Sequence, residues 1–115
     1  MEAELLFCHE LRLMLRVTIG DFRHIVEYDG RALCREQILV DGDVATWRFK
    51  LNTLPSRLEF SIGVAQATFE RKFVVFAGRV GWSICRLTIN GELVFHEERL
   101  DTDASDDSAY EAASK

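Results

Sequence analysis

Ser83-Ile84-Cys85-Arg86-Leu87-Thr88-Ile89-Asn90-Gly91-Glu92-Leu93-Val94-Phe95-His96 is the stretch on which the fold turns. Ser83, Cys85, Leu87 and Ile89 alternate with Ile84, Arg86 and Thr88, with Trp82 preceding them on the second set, which is the period of a strand whose side chains point to two faces in turn. Asn90-Gly91 supplies two residues that tolerate positive φ, as a two-residue hairpin turn requires, and residues 92–96 return antiparallel.

The same grammar runs through the chain on the N-terminal side. From residue 5 to 19 nearly every odd position is apolar, although the helix formers in residues 2–10 also admit a short helix leading into a strand from Leu11 onward. Gly20-Asp21 reads as a tight turn into residues 22–28, and Asp29-Gly30 and Asp41-Gly42 bracket a segment ending in Gln37-Ile38-Leu39-Val40. Residues 44–51 place Ala45, Trp47, Phe49 and Leu51 on one side, with Thr46, Arg48 and Lys50 on the other. Residues 52–57 hold the only proline and read as a loop, after which Leu58, Phe60 and Ile62 alternate with Glu59 and Ser61 up to Gly63. Residues 64–77 break their alternation at Glu70-Arg71-Lys72, where a turn or bulge is expected, and residues 78–81 read as a further connection. The expected fold is all-β: an antiparallel β-sandwich or flattened barrel of about seven to eight strands.

A chain of 115 residues with 48% apolar and 29% charged residues is long enough for one self-sufficient core, assigned to residues 1–100. Of the net charge of -5, residues 101–115 carry -4, and with so little apolar surface they are expected to form a disordered acidic tail. Cys8, Cys34 and Cys85 are odd in number and widely spaced, which argues against a disulfide framework and for a cytoplasmic setting. No apolar run is long enough for a spanning helix, and Glu2 and Glu4 give the wrong charge for a signal peptide.

Taken in order, His24-Ile25-Val26-Glu27-Tyr28-Asp29-Gly30, Val40-Asp41-Gly42, Trp47-Arg48-Phe49-Lys50-Leu51, Phe60-Ser61-Ile62-Gly63 and Leu87-Thr88-Ile89-Asn90-Gly91 resemble the Fas apoptotic inhibitory molecule family over residues 11–97. The Val-Asp-Gly, Trp-x-Phe-Lys-Leu and Ile-Asn-Gly stretches are similar to that family's N-terminal repeat, and Phe-Ser-Ile-Gly to its C-terminal repeat. Members carry two tandem β-rich repeats, and this chain holds the equivalent of one. The resemblance implies a β-sandwich that acts by protein contact, in apoptosis regulation, neurite outgrowth or suppression of aggregation, and it implies no catalytic residues.

Chemistry-bearing residues give little else. No nucleophile elbow is present, and Cys8 and His9 diverge if their segment is extended. His9, His24 and His96 lack metal-ligand spacing, and Gly78-Arg79-Val80-Gly81 lacks the third glycine of a dinucleotide fingerprint, so no catalytic group, metal or cofactor is expected. His24 is expected as a hydrogen-bonded histidine of the core or rim, Cys85 in the core and Cys34 near a turn. The candidate partner-binding residues are Phe76, Arg79, Trp82, Ile84 and Arg86, an apolar patch with flanking cations around Trp82; for Trp82 itself a strand buried on both faces is the favoured alternative. The expected function is non-enzymatic protein interaction, with a homodimer left open. A second reading is a small apolar-ligand barrel lined by Trp47, Phe49, Phe60 and Leu87. A third, single-stranded nucleic-acid binding, is opposed by the near-neutral charge of residues 1–100.

Overall fold

The computed structural model describes residues 1–9, 11–32, 34–49, 55–76 and 79–98, the side chains of 74–81 excepted. The expected tail at 101–115 and the loop positions 52–54 lie outside the described residues. The strands in chain order are β1 (Glu2–His9), β2 (Arg12–Ile19), β3 (Phe22–Asp29), β4 (Arg35–Val40), β5 (Asp43–Phe49), β6 (Ser56–Ile62), β7 (Ala65–Phe76), β8 (Arg79–Ile89) and β9 (Glu92–Glu98). They form two antiparallel sheets, β1-β2-β3-β4-β5 and β6-β7-β8-β9. Within each sheet every strand pairs with its successor, so the chain meanders and changes sheet once, between β5 and β6. β5 lies against β6 and β1 against β9, which brings the two sheets together at both margins.

The all-β sandwich follows the alternation, but residues 2–19 correct its details. The segment that admitted a helix is β1, paired along β2 from Glu2 opposite Thr18 to His9 opposite Arg12. A helix of about two turns is marginal alone, and a ladder with β2 satisfies the same backbone groups while placing Ala3 and Cys8 against the core. The expected connection at 78–81 is also shorter than its glycines suggest, because β8 already begins at Arg79, opposite Phe76 of β7.

Asp41-Gly42 and Asn90-Gly91 are the two-residue turns that their composition requires: φ is 53° and 90° in the first, 51° and 82° in the second. Gly30 has a different reason. It is buried, and a Cβ there would stand 2.7 Å from the Tyr28 hydroxyl oxygen, so this glycine makes room for a tyrosine.

Leu13, Leu15 and Val17 of β2, Val26 and Tyr28 of β3 and Ile38 of β4 face Leu58, Phe60, Phe69, Leu87 and Ile89 of the opposite sheet. Tyr28 stacks on Phe69 at 5.2 Å between ring centroids and meets Trp82 edge-on at 5.5 Å, tying the two sheets together.

Two register shifts decide which side chains enter this core. Lys72 pairs with Ile84 but Phe73 with Trp82, so Ser83 is an extra residue on β8. That break turns Trp82 to the same side as Cys85 and Leu87, both fully buried. The irregularity expected near residues 70–72 therefore falls at the next step of β7, with its extra residue on the partner strand. In β5, Thr46 pairs with Ile38 but Val44 with Leu39, leaving Ala45 extra. Arg48 then stands opposite buried Glu36, and Trp47 and Phe49 stand opposite Gln37 and Arg35 on the outer face.

Candidate interaction surface and the buried polar seam

The five residues expected to bind a partner do not form one patch. Trp82 is 0% exposed, 4.8 Å from the Phe73 ring, and its Nε1 makes no hydrogen bond with the described residues. The bulge at Ser83 is the reason, since unbroken alternation from Ile84 would have pointed it outward. Phe76 and Arg79 pair with each other at the far end of β7 and β8, and their side chains lie outside the described residues. Ile84 and Arg86 are half-buried and share with Pro55, Arg57, Glu70 and Lys72 an open groove of about 340 Å³. Arg86 is turned toward Glu70, its Nη1 3.7 Å from the carboxylate.

The four residues expected to line a ligand barrel also separate. Phe60 and Leu87 are packed in the core, while Trp47 and Phe49 are 49% and 69% exposed on the opposite side of β5. Cys85 is in the core, Cys34 is exposed, and none of the three cysteines forms a disulfide. Cys8 pairs with buried Leu13 and His9 with half-buried Arg12, so the two adjacent residues do diverge. His24 is half-buried at the rim, with Nδ1 2.8 Å from Asp41 Oδ2. Together with the Ile25 amide, this histidine holds the Asp41 carboxyl below the usual carboxylate range, as the Arg31 side chain does for Asp29.

A group with no place in the sequence reading is the charged cluster inside the sandwich. Glu36 of β4 is 0% exposed and Arg71 of β7 2%, and they come from different sheets. Arg71 donates from Nε and Nη2 to Glu36 Oε1 at 3.0 and 2.8 Å, and Tyr28 donates its hydroxyl to the same oxygen at 2.6 Å. Ser56 of β6 donates to Oε2, and Arg48 Nε stands 3.7 Å from it. The Arg71 guanidinium also lies 4.4 Å from the Phe73 ring centroid, so its face is covered as well as its charge. Burial pushes the Tyr28 phenol far above the usual tyrosine range; the Arg71 charge opposes this and Glu36 adds to it.

Removing charges from water costs several kcal/mol per ion, so an arrangement of this kind survives only when donors and acceptors are matched. Here Oε1 takes donors from both sheets and Oε2 one from Ser56, so the seam ties the two sheets together. The sequence signal was Glu36 in phase with Ile38 two residues on, where an apolar residue would be expected.

The seam has an outward consequence. With Glu36 buried and Arg48 paired opposite it, the other face of β4 and β5 carries Arg35, Trp47 and Phe49. The two aromatic rings meet edge-to-face at 5.7 Å, and the Arg35 guanidinium covers Trp47 at 4.5 Å from its centroid. Arg35 reaches Gln37 Oε1 at 3.3 Å. Val44 extends the apolar surface along the same strand. At the opposite edge of this sheet, β1 exposes Leu5, Leu6 and Phe7.

Among the described residues no group of three or more His, Cys, Asp or Glu is placed to hold a metal ion, and no helix is long and apolar enough to cross a membrane. No protein-family model, curated protein or solved structure matches the chain.

Proposed function

We propose that this chain is a non-enzymatic protein-interaction module, as the resemblance to one Fas apoptotic inhibitory molecule repeat implies, which binds other polypeptides and shields aggregation-prone ones. The observation that carries the reading is the concentration of large apolar side chains on the two edge strands of one sheet: Leu5, Leu6 and Phe7 on β1, and Val44, Trp47 and Phe49 on β5. Edge strands are where soluble β proteins ordinarily place charge, because an apolar edge invites pairing with another chain. Exposed apolar surface kept there has a use in binding. A role in restraining apoptosis rests on the resemblance alone.

Light scattering of a heat-stressed reporter enzyme tests the shielding activity. An equimolar dose of the protein is expected to suppress the signal, and Leu6→Lys with Trp47→Lys to abolish the effect while leaving the fold intact by circular dichroism. No suppression at equimolar dose would remove the shielding role.

A further inference from the structure

We infer that the Arg35–Trp47–Phe49 face is a docking site for an acidic, extended polypeptide segment carrying an aromatic or large apolar residue. The inference rests on the interaction-module reading and adds the site and the chemistry of the partner.

Charge pairing and aromatic stacking together single the site out. Arg12, Arg16, Arg31, Arg48, Arg57, Arg71 and Arg86 each have a carboxylate within 4 Å. Arg23 and Arg35 have none among the described residues, and of these two Arg35 is the one stacked on an aromatic ring; its contacts are the Trp47 ring and the Gln37 amide oxygen. A guanidinium stacked on indole has its face desolvated and its in-plane N–H donors at the edge, of which Arg35 commits one to Gln37. That is the geometry in which arginine takes a carboxylate through two parallel hydrogen bonds.

Phe49, 69% exposed and edge-on to Trp47, supplies an aromatic surface beside that cation. A partner with a carboxylate next to an aromatic residue would meet both at once. Arg48, between Trp47 and Phe49 in sequence, lies on the other side of β5, 3.7 Å from the Glu36 carboxylate and donating to the Arg57 carbonyl at 3.2 Å, and both contacts favour the outward placement of the aromatic face.

Fluorescence anisotropy of the full chain tests this with three fluorescein-labelled nine-residue probes: an Asp/Glu peptide with one central Phe, the same acidic peptide with Ala for Phe, and a Lys/Phe peptide. The first should bind, the second at least fivefold more weakly, and the third not measurably. Arg35→Glu and Trp47→Ala should each weaken the first by at least tenfold, Arg35→Lys by a smaller factor, with thermal midpoints unchanged because these side chains are exposed. Raising salt from 50 to 300 mM should weaken binding several-fold. Equal binding of the Lys/Phe probe, or indifference to Arg35→Glu, overturns the inference.

Other occupants have their own signatures. If deleting residues 101–115 is required before the acidic probe binds, the occupant is the chain's own tail; if sedimentation shows a dimer abolished by Arg35→Glu, it is a second copy. Either result overturns the inference. No probe binding with client shielding intact sinks the site alone, whereas loss of both removes the interaction-module reading as well.

Discussion

β5 and β6 are consecutive strands of seven residues each that lie side by side at one margin of the sandwich, yet they relate sequence to burial in opposite ways. In β6, Ser56, Leu58, Phe60 and Ile62 point in and Arg57, Glu59 and Ser61 point out, as a strand with one wet face should. In β5 the aromatic residues Trp47 and Phe49 lie on the outer face, while Thr46 is half-buried and Arg48, its side chain still 46% exposed, stands opposite Glu36. Apolar periodicity reports the core only where no polar group competes for the inner face. At β5 the competitor is buried Glu36: its carboxylate, held by Arg71, Tyr28 and Ser56, has Arg48 of β5 3.7 Å away on that side, and the two rings take the other.

The largest expected effect comes from breaking the seam. Arg71→Leu leaves Glu36 buried without its main counter-charge, and such a loss costs about 3–5 kcal/mol. The double variant Glu36→Leu/Arg71→Leu should lose clearly less than Arg71→Leu alone, since it removes the stranded charge with its partner. Urea unfolding gives both numbers. A loss below about 1 kcal/mol for Arg71→Leu would show that β5 is inverted for some reason other than the seam.

A direct contrast of the two strands follows. Phe60→Ala should cost about 3 kcal/mol through the cavity it leaves, whereas Phe49→Ala, on a surface 69% exposed, should fall within about 0.5 kcal/mol. Equal losses would mean that β5 buries its aromatic residues in solution and that the inversion is wrong.

Gly30→Ala probes the tyrosine end of the seam. The added methyl would meet the Tyr28 hydroxyl at 2.7 Å, and that hydroxyl is held between Glu36 and Arg71 while its ring is stacked on Phe69. Overpacking of this kind costs about 1–3 kcal/mol. In a Tyr28→Phe background the same substitution should cost less; an identical cost in both backgrounds would show that the hydroxyl is not what excludes a side chain at position 30.

How much of this was legible depended on how local each determinant is. The Asn90-Gly91 and Asp41-Gly42 turns, the β6 alternation and the core position of Cys85 follow from properties within a few residues, and they stand where the sequence places them. Gly30 looked like a third turn glycine, but its cause is a tyrosine side chain two residues away. Trp82 was misplaced because one extra residue, Ser83, reverses a period of two, and an isolated serine carries no signature of a bulge. The Arg35–Trp47–Phe49 face was missed for a longer-range reason. It depends on an ion pair between residues 36 and 71, which belong to different sheets and meet only after the sandwich closes. The one local trace was an acidic residue at position 36 in phase with Ile38.

The smallest effect expected is a pH dependence confined to the interior. Burial raises the folded-state pKa of Tyr28, so neutral Tyr28 is favoured in the folded protein, and its contribution is fully present below the unfolded value of 10.0. Above pH 10 the unfolded chain releases this proton and the folded one retains it, so stability falls by up to about 1.4 kcal/mol per pH unit for that group. The buried Cys85 thiol has the same sign and begins to contribute from its unfolded value of 9.0. Between pH 10 and 11, Tyr28→Phe should therefore flatten the decline in the urea midpoint by one proton's worth while lowering stability at pH 7 through the lost seam hydrogen bonds. Trp47→Phe on the outer face should leave that slope untouched. A slope unchanged by Tyr28→Phe would mean that this hydroxyl titrates normally and that the seam is open to water.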